Sequence, residues 1–272
     1  MPTILREPSR AAIVAAIEAN EAAYWLYGAA RAGWEVIEEP DVTLYRSGEA
    51  NVEHNGVLLP RLNEATTEAR VAAICRHFQA RSLPFIWWEA PADLEPMLAA
   101  QGLVLGSRDA GMAADLSRVP EAVPLPPGIA VERVRDDEGA REWRAALYAG
   151  HGEPPPAPAP LETFAPATYG DDEPLRCYLA RRADGTPVAT AQLLLAEGVA
   201  GIYCVTTVPE ERGQGIGTAV THAAMREAHA LGYAIGVLGA TALGEGVYRR
   251  LGFEQYMDMT AYEWHPPAAS GK

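Results

Sequence analysis

The chain has 272 residues, and at about 150 residues per domain this suggests two domains. Hydrophobic residues make up 49% and charged residues 21%, a composition that excludes intrinsic disorder and allows each half its own core. The net charge is −14, and a division at Leu125 leaves −7 on each side (10 basic and 17 acidic residues, then 12 and 19). Such an even acidic balance, with no basic patch, disfavours nucleic acid as a partner; it suits solubility and, weakly, cationic or amine ligands. No apolar run approaches 18 residues, so no membrane span is expected. The Ala/Ile/Val run at 11–17 is followed at once by Glu18, Asn20 and Glu21, without the pattern of a signal peptide. The cysteines Cys75, Cys177 and Cys204 are odd in number and lack zinc-site spacing. They suit a reducing cytoplasm, and no metal is expected.

In the first half, the residue pattern predicts a strand ending at Leu62, a helix near Thr67–Ala80, a strand Phe85–Trp88, a short helix Leu94–Ala100, and then Gly102-Leu103. Phe85, Trp87 and Trp88 alternate as core residues do, although their rings could stack on a ligand. The proline-rich seam Val119–Gly128 follows, with Pro124, Pro126 and Pro127 barring helix or central strand. It sets the expected organisation: a first domain at 1–120, a linker at 121–128 and a second domain at 129–272. In the second half, Ile129–Val134 reads as a strand and Asp137–Ala149 as a helix. A second proline cluster, Glu153–Pro160, reads as a long loop. Strands follow at Leu175–Arg181 and Val188–Leu195, with Asp184-Gly185 as their hairpin turn. Gly201–Val208 is β-rich. Gly217–Leu231 repeats apolar residues at helical spacing and ends at Gly232. Ala234–Leu238 is a strand, Gly244–Leu251 a short helix, and Phe253–Trp264 one or two closing strands. The residues from His265 on form a tail. Hairpins mixed with crossovers indicate an α/β fold with a mixed sheet.

An offset of 150 residues superposes parts of the two halves. Leu44 falls on Leu194, Gly48 on Gly198, Arg76 on Arg226, Ala90 on Ala240, Glu95 on Glu245 and Gly102 on Gly252. The order strand, helix, strand, short helix, glycine recurs without a gap, which points to a tandem duplication of one fold.

Chemistry concentrates in Val208-Pro-Glu-Glu-Arg212-Gly213-Gln214-Gly215-Ile216-Gly217-Thr218, between a β-rich run and an amphipathic helix. Alternating glycines permit positive φ and close backbone approach. Several N–H groups can then converge on an anion at the positive end of the helix, with Arg212 adding charge. The pattern is a pyrophosphate cradle. It is not a P-loop, which needs Gly-Lys-Ser/Thr, and its glycine spacing is not that of a dinucleotide fingerprint.

These residues resemble the R/Q-x-x-G-x-G/A signature of the GNAT superfamily of coenzyme A-dependent N-acyltransferases, met by Arg212, Gly215 and Gly217. A second element of that family is met by Val247-Tyr248-Arg249-Arg250-Leu251-Gly252-Phe253. The resemblance covers 128–264, and the first half resembles a degenerate copy, so the fold implied is two tandem GNAT-like domains. It implies that Val205 and Thr207 pair with the pantetheine arm of acetyl-coenzyme A. The backbone of Gly213, Gln214, Gly215, Ile216, Gly217 and Thr218 would hold its pyrophosphate. Tyr248 would serve as general acid to the leaving thiolate. Thr241 stands where many members carry an asparagine that contacts the coenzyme. No acidic residue occupies the middle of Gly201–Val208, where some members place a base; Glu197 lies just before that run, Glu153 and His151 lie in the proline-rich loop region, and all three read as solvated. The implied reaction is direct attack of an amine on acetyl-coenzyme A in a ternary complex. The acceptor would be a small molecule or a peptide, in a cleft bounded by the 150–168 segment and the inter-domain face. The chain could be a monomer or a homodimer. A non-catalytic acyl-coenzyme A-binding scaffold is the alternative. At the 150-residue offset Arg212, Gly213, Gly215, Gly217 and Tyr248 become Leu62, Asn63, Ala65, Thr67 and Leu98, so the first half is expected to lack both cradle and acid.

Overall fold

The computed structural model describes residues 3–63, 65–152, 167 and 169–267. The proline cluster at 153–160, Glu153 included, lies outside the described residues. In chain order the elements are α1 (Arg10–Ala32), β1 (Glu35–Glu39), β2 (Val42–Arg46), β3 (Asn55–Leu58), α2 (Thr67–Gln79), β4 (Phe85–Trp87), α3 (Glu95–Ala100) and β5 (Val104–Asp115). They continue with β6 (Ile129–Arg133), α4 (Asp137–His151), β7 (Leu175–Arg182), β8 (Pro187–Ala196), β9 (Val199–Thr207), α5 (Ile216–Ala230), β10 (Ile235–Ala240), α6 (Glu245–Arg250) and β11 (Glu254–Trp264).

The chain packs as two compact units, Met1–Tyr24 with Ala110–Met257, and Trp25–Asp109 with Asp258–Lys272. The seam at 121–128 carries no helix or strand before Ile129. The units nevertheless divide the chain elsewhere, because α1, β5 and β11 each have residues in both.

In the first unit the strand order is β5-β10-β9-β8-β7-β6. β6–β7, β7–β8 and β8–β9 pair antiparallel, β9–β10 parallel and β10–β5 antiparallel. Local chemistry accounts for several boundaries. The Asp136 side chain accepts the Gly139 N–H at 2.8 Å and opens α4, and Gly152 closes it at φ +77. Asp184 accepts the Thr186 N–H at 2.9 Å, and Gly185 at φ +88 completes the β7–β8 hairpin. Ile216, Val220, Ala224 and Ala228 of α5 are buried at helical spacing against Leu193, Leu238 and Phe253.

In the second unit β1-β2-β3-β4-β11 lie side by side, paired antiparallel, antiparallel, parallel and antiparallel. This is the sense in which β7, β8, β9, β10 and β5 pair in the first unit. In each, one long helix joins the parallel strands and one short helix follows them. Phe85 and Trp87 are fully buried with Ile74, Phe78 and Leu98. Trp88 is half-buried, donates to the Tyr45 hydroxyl at 2.9 Å and stacks on Trp25. All three aromatics therefore serve the core. The strand expected to reach Leu62 stops at Leu58, because Leu59 turns to φ +51 and Pro60 follows. α1, β1, β2 and β5 go beyond the sequence reading, and 253–264 forms one strand rather than two.

Candidate active site

β9 and β10 are partners only at Ala200–Gly236 and Gly201–Val237. Beyond that point the two parallel strands part, while β9 stays paired with β8 up to Thr207. The Val208 N–H donates to the Val188 carbonyl on β8 at 2.9 Å. By strand alternation the backbone groups of Val205 and Thr207 face the opposite edge, where β10 has left. Exposure changes at the same place: Val199–Ile202 are buried, and Tyr203, Cys204, Val205 and Thr207 are half-exposed.

The glycine loop follows directly. Gly213 and Gly215 adopt φ +77 and +87, with open space where a side chain would stand. Among the described residues the N–H groups of Gly213, Gln214, Gly215, Ile216, Gly217 and Thr218 find no acceptor, and the first tied amide is Ala219, on the Gly215 carbonyl. Six consecutive free donors at the start of a 15-residue helix could hold a polyanion. The side chains contribute less. Ile216 is buried in the core, so only its amide faces outward. Gln214 donates to the Glu211 carboxylate at 2.9 Å. Arg212 carries its charge beside the loop while its side chain is tied to backbone. It donates from Nε to the Thr207 carbonyl at 3.1 Å and from Nη2 to the Gly150 carbonyl at 2.6 Å, tying the end of α4 to the end of β9.

A β-bulge interrupts β9 beside the opening. Thr190 pairs with Thr206 and Gln192 with Tyr203, so Ala191 alone faces both Cys204 and Val205. Cys204 sits at φ +50, and its carbonyl accepts the Thr190 hydroxyl at 2.7 Å. The middle of α1 supplies residues that sequence reasoning missed. The Tyr24 hydroxyl donates to Gln192 Oε1 at 2.9 Å and lies 3.2 Å from Cys204 Sγ. Asn20 accepts the Tyr203 hydroxyl at 2.7 Å and donates to the Ala196 carbonyl. Burial, and then the neighbouring Cys204, hold the Tyr24 phenol well above its usual ionisation range. The Tyr24 hydroxyl and the Cys204 thiol are within hydrogen-bonding distance of each other. No local pattern signals this set, whose members are about 170 residues apart in sequence.

Tyr248 lies on α6, 8% exposed, edge-on to Phe253. No hydrogen bond among the described residues engages its hydroxyl. Burial, and then Cys204, push its pKa up to about 12. Thr241 is exposed, and its Oγ1 accepts the Gly244 N–H at 3.3 Å ahead of α6. Glu197 occupies the β8–β9 turn at φ +53. At about 3.4 Å per residue it stands roughly 20 Å from the bulge, too far to act as a base there. His151 ends α4, exposed. Among the described residues no cluster of three or more His, Cys, Asp or Glu could hold a metal ion, and no helix is long and apolar enough to cross a membrane.

Residues 140–253 match the model of the acetyltransferase (GNAT) family. No curated protein matches the chain. Among solved structures, a GCN5-related N-acetyltransferase from Kribbella flavida is 22% identical with a TM-score of 0.67, over 93% of this chain and 96% of that one. A GCN5-related N-acetyltransferase from Sphaerobacter thermophilus is 19% identical with a TM-score of 0.64, over 96% and 94%. A tandem GNAT protein from the clavulanic acid biosynthesis pathway is 16% identical with a TM-score of 0.57, over 99% of each chain. The parted parallel strands and the free amides of the glycine loop thus stand inside the segment, residues 140–253, that is similar to the acetyltransferase (GNAT) family.

Proposed function

We propose that this protein transfers an acyl group, most simply acetyl, from acyl-coenzyme A to an amine of a small molecule or peptide. One observation carries the reading: the gap between β9 and β10 opens next to six backbone amides without acceptors. The two features suit the two parts of one extended ligand. The Val205 and Thr207 edge can pair with an amide-bearing arm as an added strand does. The amides of 213–218 suit a diphosphate. Arg212 and Thr241 act in this reading by holding the surrounding backbone.

Amine attack on the thioester develops charge first on the carbonyl oxygen and then on sulfur. One N–H at the opening, that of Val205, would serve the oxygen. Tyr248 serves the sulfur. A phenol with a pKa of about 12 facing a thiol near the usual value of about 8.5 would lose roughly 5 kcal/mol by full proton transfer. Tyr248 therefore donates a hydrogen bond that stabilises the thiolate, and the proton that finally neutralises sulfur comes from the attacking amine.

The second unit we read as a degenerate copy of the same fold. At its turn into α2 two of the amides are already engaged: Asn63 Oδ1 accepts from Ala65 at 3.0 Å, and the Asn63 carbonyl accepts from Thr66 at 2.9 Å. Buried Leu98 stands where the offset expects the phenol. Three free cysteines support a reducing, cytoplasmic setting. Titration calorimetry with acetyl-coenzyme A should give one site per chain; two sites would refute the degenerate copy. Thiol release from acetyl-coenzyme A against an amine library tests catalysis. Binding without amine-dependent release would favour a scaffold, and stabilisation by NAD or ATP instead of acetyl-coenzyme A would overturn the reading.

A further inference from the structure

The bulge in β9 puts Cys204 at a backbone position that glycine ordinarily fills, with φ +50. An L residue is strained there, and strain persists only where neighbours over-determine the conformation. Thr190 is such a neighbour. It is fully buried on β8, and its hydroxyl donates to the Cys204 carbonyl at 2.7 Å. The bond fixes the peptide that joins Cys204 to Val205, whose nitrogen supplies the donor at the opening. The bulge also has a directional consequence. One extra residue shifts the two-residue alternation, so from Val205 on each backbone group faces the edge opposite to that of an unbroken ladder. The Val205 and Thr207 groups thereby face the gap left by β10 rather than β8.

We propose that Thr190 is a positioning residue for acyl transfer: its hydroxyl locks the Cys204–Val205 peptide so that the Val205 N–H points at the acyl carbonyl. The proposal rests on the acyltransferase reading above and adds to it the side chain that aims the donor. Thr190 touches no substrate.

The test needs no acceptor. Acetyl-coenzyme A labelled with 13C at the acetyl carbonyl is bound to the wild type, and its carbonyl infrared band and 13C shift are compared with those of the free thioester. A hydrogen bond to the oxygen lowers the band and moves the 13C resonance downfield. Thr190→Val keeps the shape and removes the hydroxyl. It should abolish most of both displacements and change coenzyme A affinity by less than about threefold. Thr190→Ser should restore them. So should the pair Thr190→Val with Cys204→Gly, because glycine adopts positive φ without help. Displacements unchanged in Thr190→Val, or absent in the wild type although acetyl-coenzyme A binds, would overturn the proposal while leaving the acyltransferase reading intact. Failure of either restoring variant to recover them, in a protein that still binds coenzyme A, would overturn it too. A wild type that binds no acetyl-coenzyme A would instead remove the reading beneath it. Should Thr190→Val not fold, Thr190→Ser and Cys204→Gly carry the comparison, with both expected to keep the wild-type displacements.

Discussion

Single residues at this site can be separated by what their loss should do. Tyr248 has a hydroxyl with no partner among the described residues, so Tyr248→Phe removes no hydrogen bond and should change stability by less than about 1 kcal/mol. Turnover should fall by about 100-fold or more if the phenol stabilises the leaving sulfur. Steady-state kinetics beside a thermal melt checks both, and a variant with full turnover would reassign Tyr248 to the core. Gly215→Ala places a side chain at φ +87 in open space, so its cost is backbone strain of about 1–2 kcal/mol rather than a clash. It also tilts the loop amides. Acetyl-coenzyme A affinity, read by calorimetry, should drop roughly tenfold or more, since one hydrogen bond to a charged group is worth about 1.5–3 kcal/mol. The glycines and Tyr248 were legible in the sequence because their constraints are local, a positive φ and a motif spacing. The engagement of Arg212 with Gly150 was not, since 62 residues separate them.

At the scale of elements, α5 is held to β6 and β7 by a charged cluster. Glu227 accepts from Arg176 at 2.7 Å, from Arg133 at 3.2 Å and from the Tyr178 hydroxyl at 2.6 Å. The side chains of Arg176 and Arg133 are only 3% and 8% exposed. Glu227→Ala leaves Arg176 without a carboxylate, while Arg133 keeps Asp171 at 3.0 Å, and should lower unfolding free energy by about 3 kcal/mol, because unpairing a buried charge costs more than the pair itself contributes. Urea denaturation measures it, and a loss below about 1 kcal/mol would mean that water reaches the cluster. Helical periodicity announced α5, and turn residues announced the β7–β8 hairpin. α1 escaped notice although its Ala-rich sequence suits a helix, since nothing in 10–24 records the β8 and β9 residues that Asn20 and Tyr24 meet. The bulge in β9 escaped for a related reason: Cys204 is not the glycine that would signal it, and the restraining hydroxyl of Thr190 belongs to another strand.

The whole molecule should respond to alkali in a direction fixed by its buried phenols. Tyr24, Tyr178 and Tyr248 all have raised pKa values, each chiefly through burial. The unfolded chain releases these protons near pH 10 while the folded one retains them, so unfolding free energy falls as pH rises. The contribution is complete below about pH 10, and the Tyr248 share is lost on passing about 12. Thermal melts between pH 8 and 11.5 should show a steepening decline, shallower in Tyr248→Phe; a flat profile would mean that the phenols are hydrated in solution. By itself the sequence determined the mixed α/β class, the element order of 129–264 and the positive-φ glycine loop ahead of α5, because hydrophobic period, turn chemistry and glycine conformation act over a few residues. Only the tertiary structure decided that α1, β5 and β11 have residues in both compact units, that β10 leaves β9 after Val237, and that Thr190 and Tyr24 meet at Cys204. Those outcomes depend on contacts between distant segments, for which no local stretch of chain carries a signal.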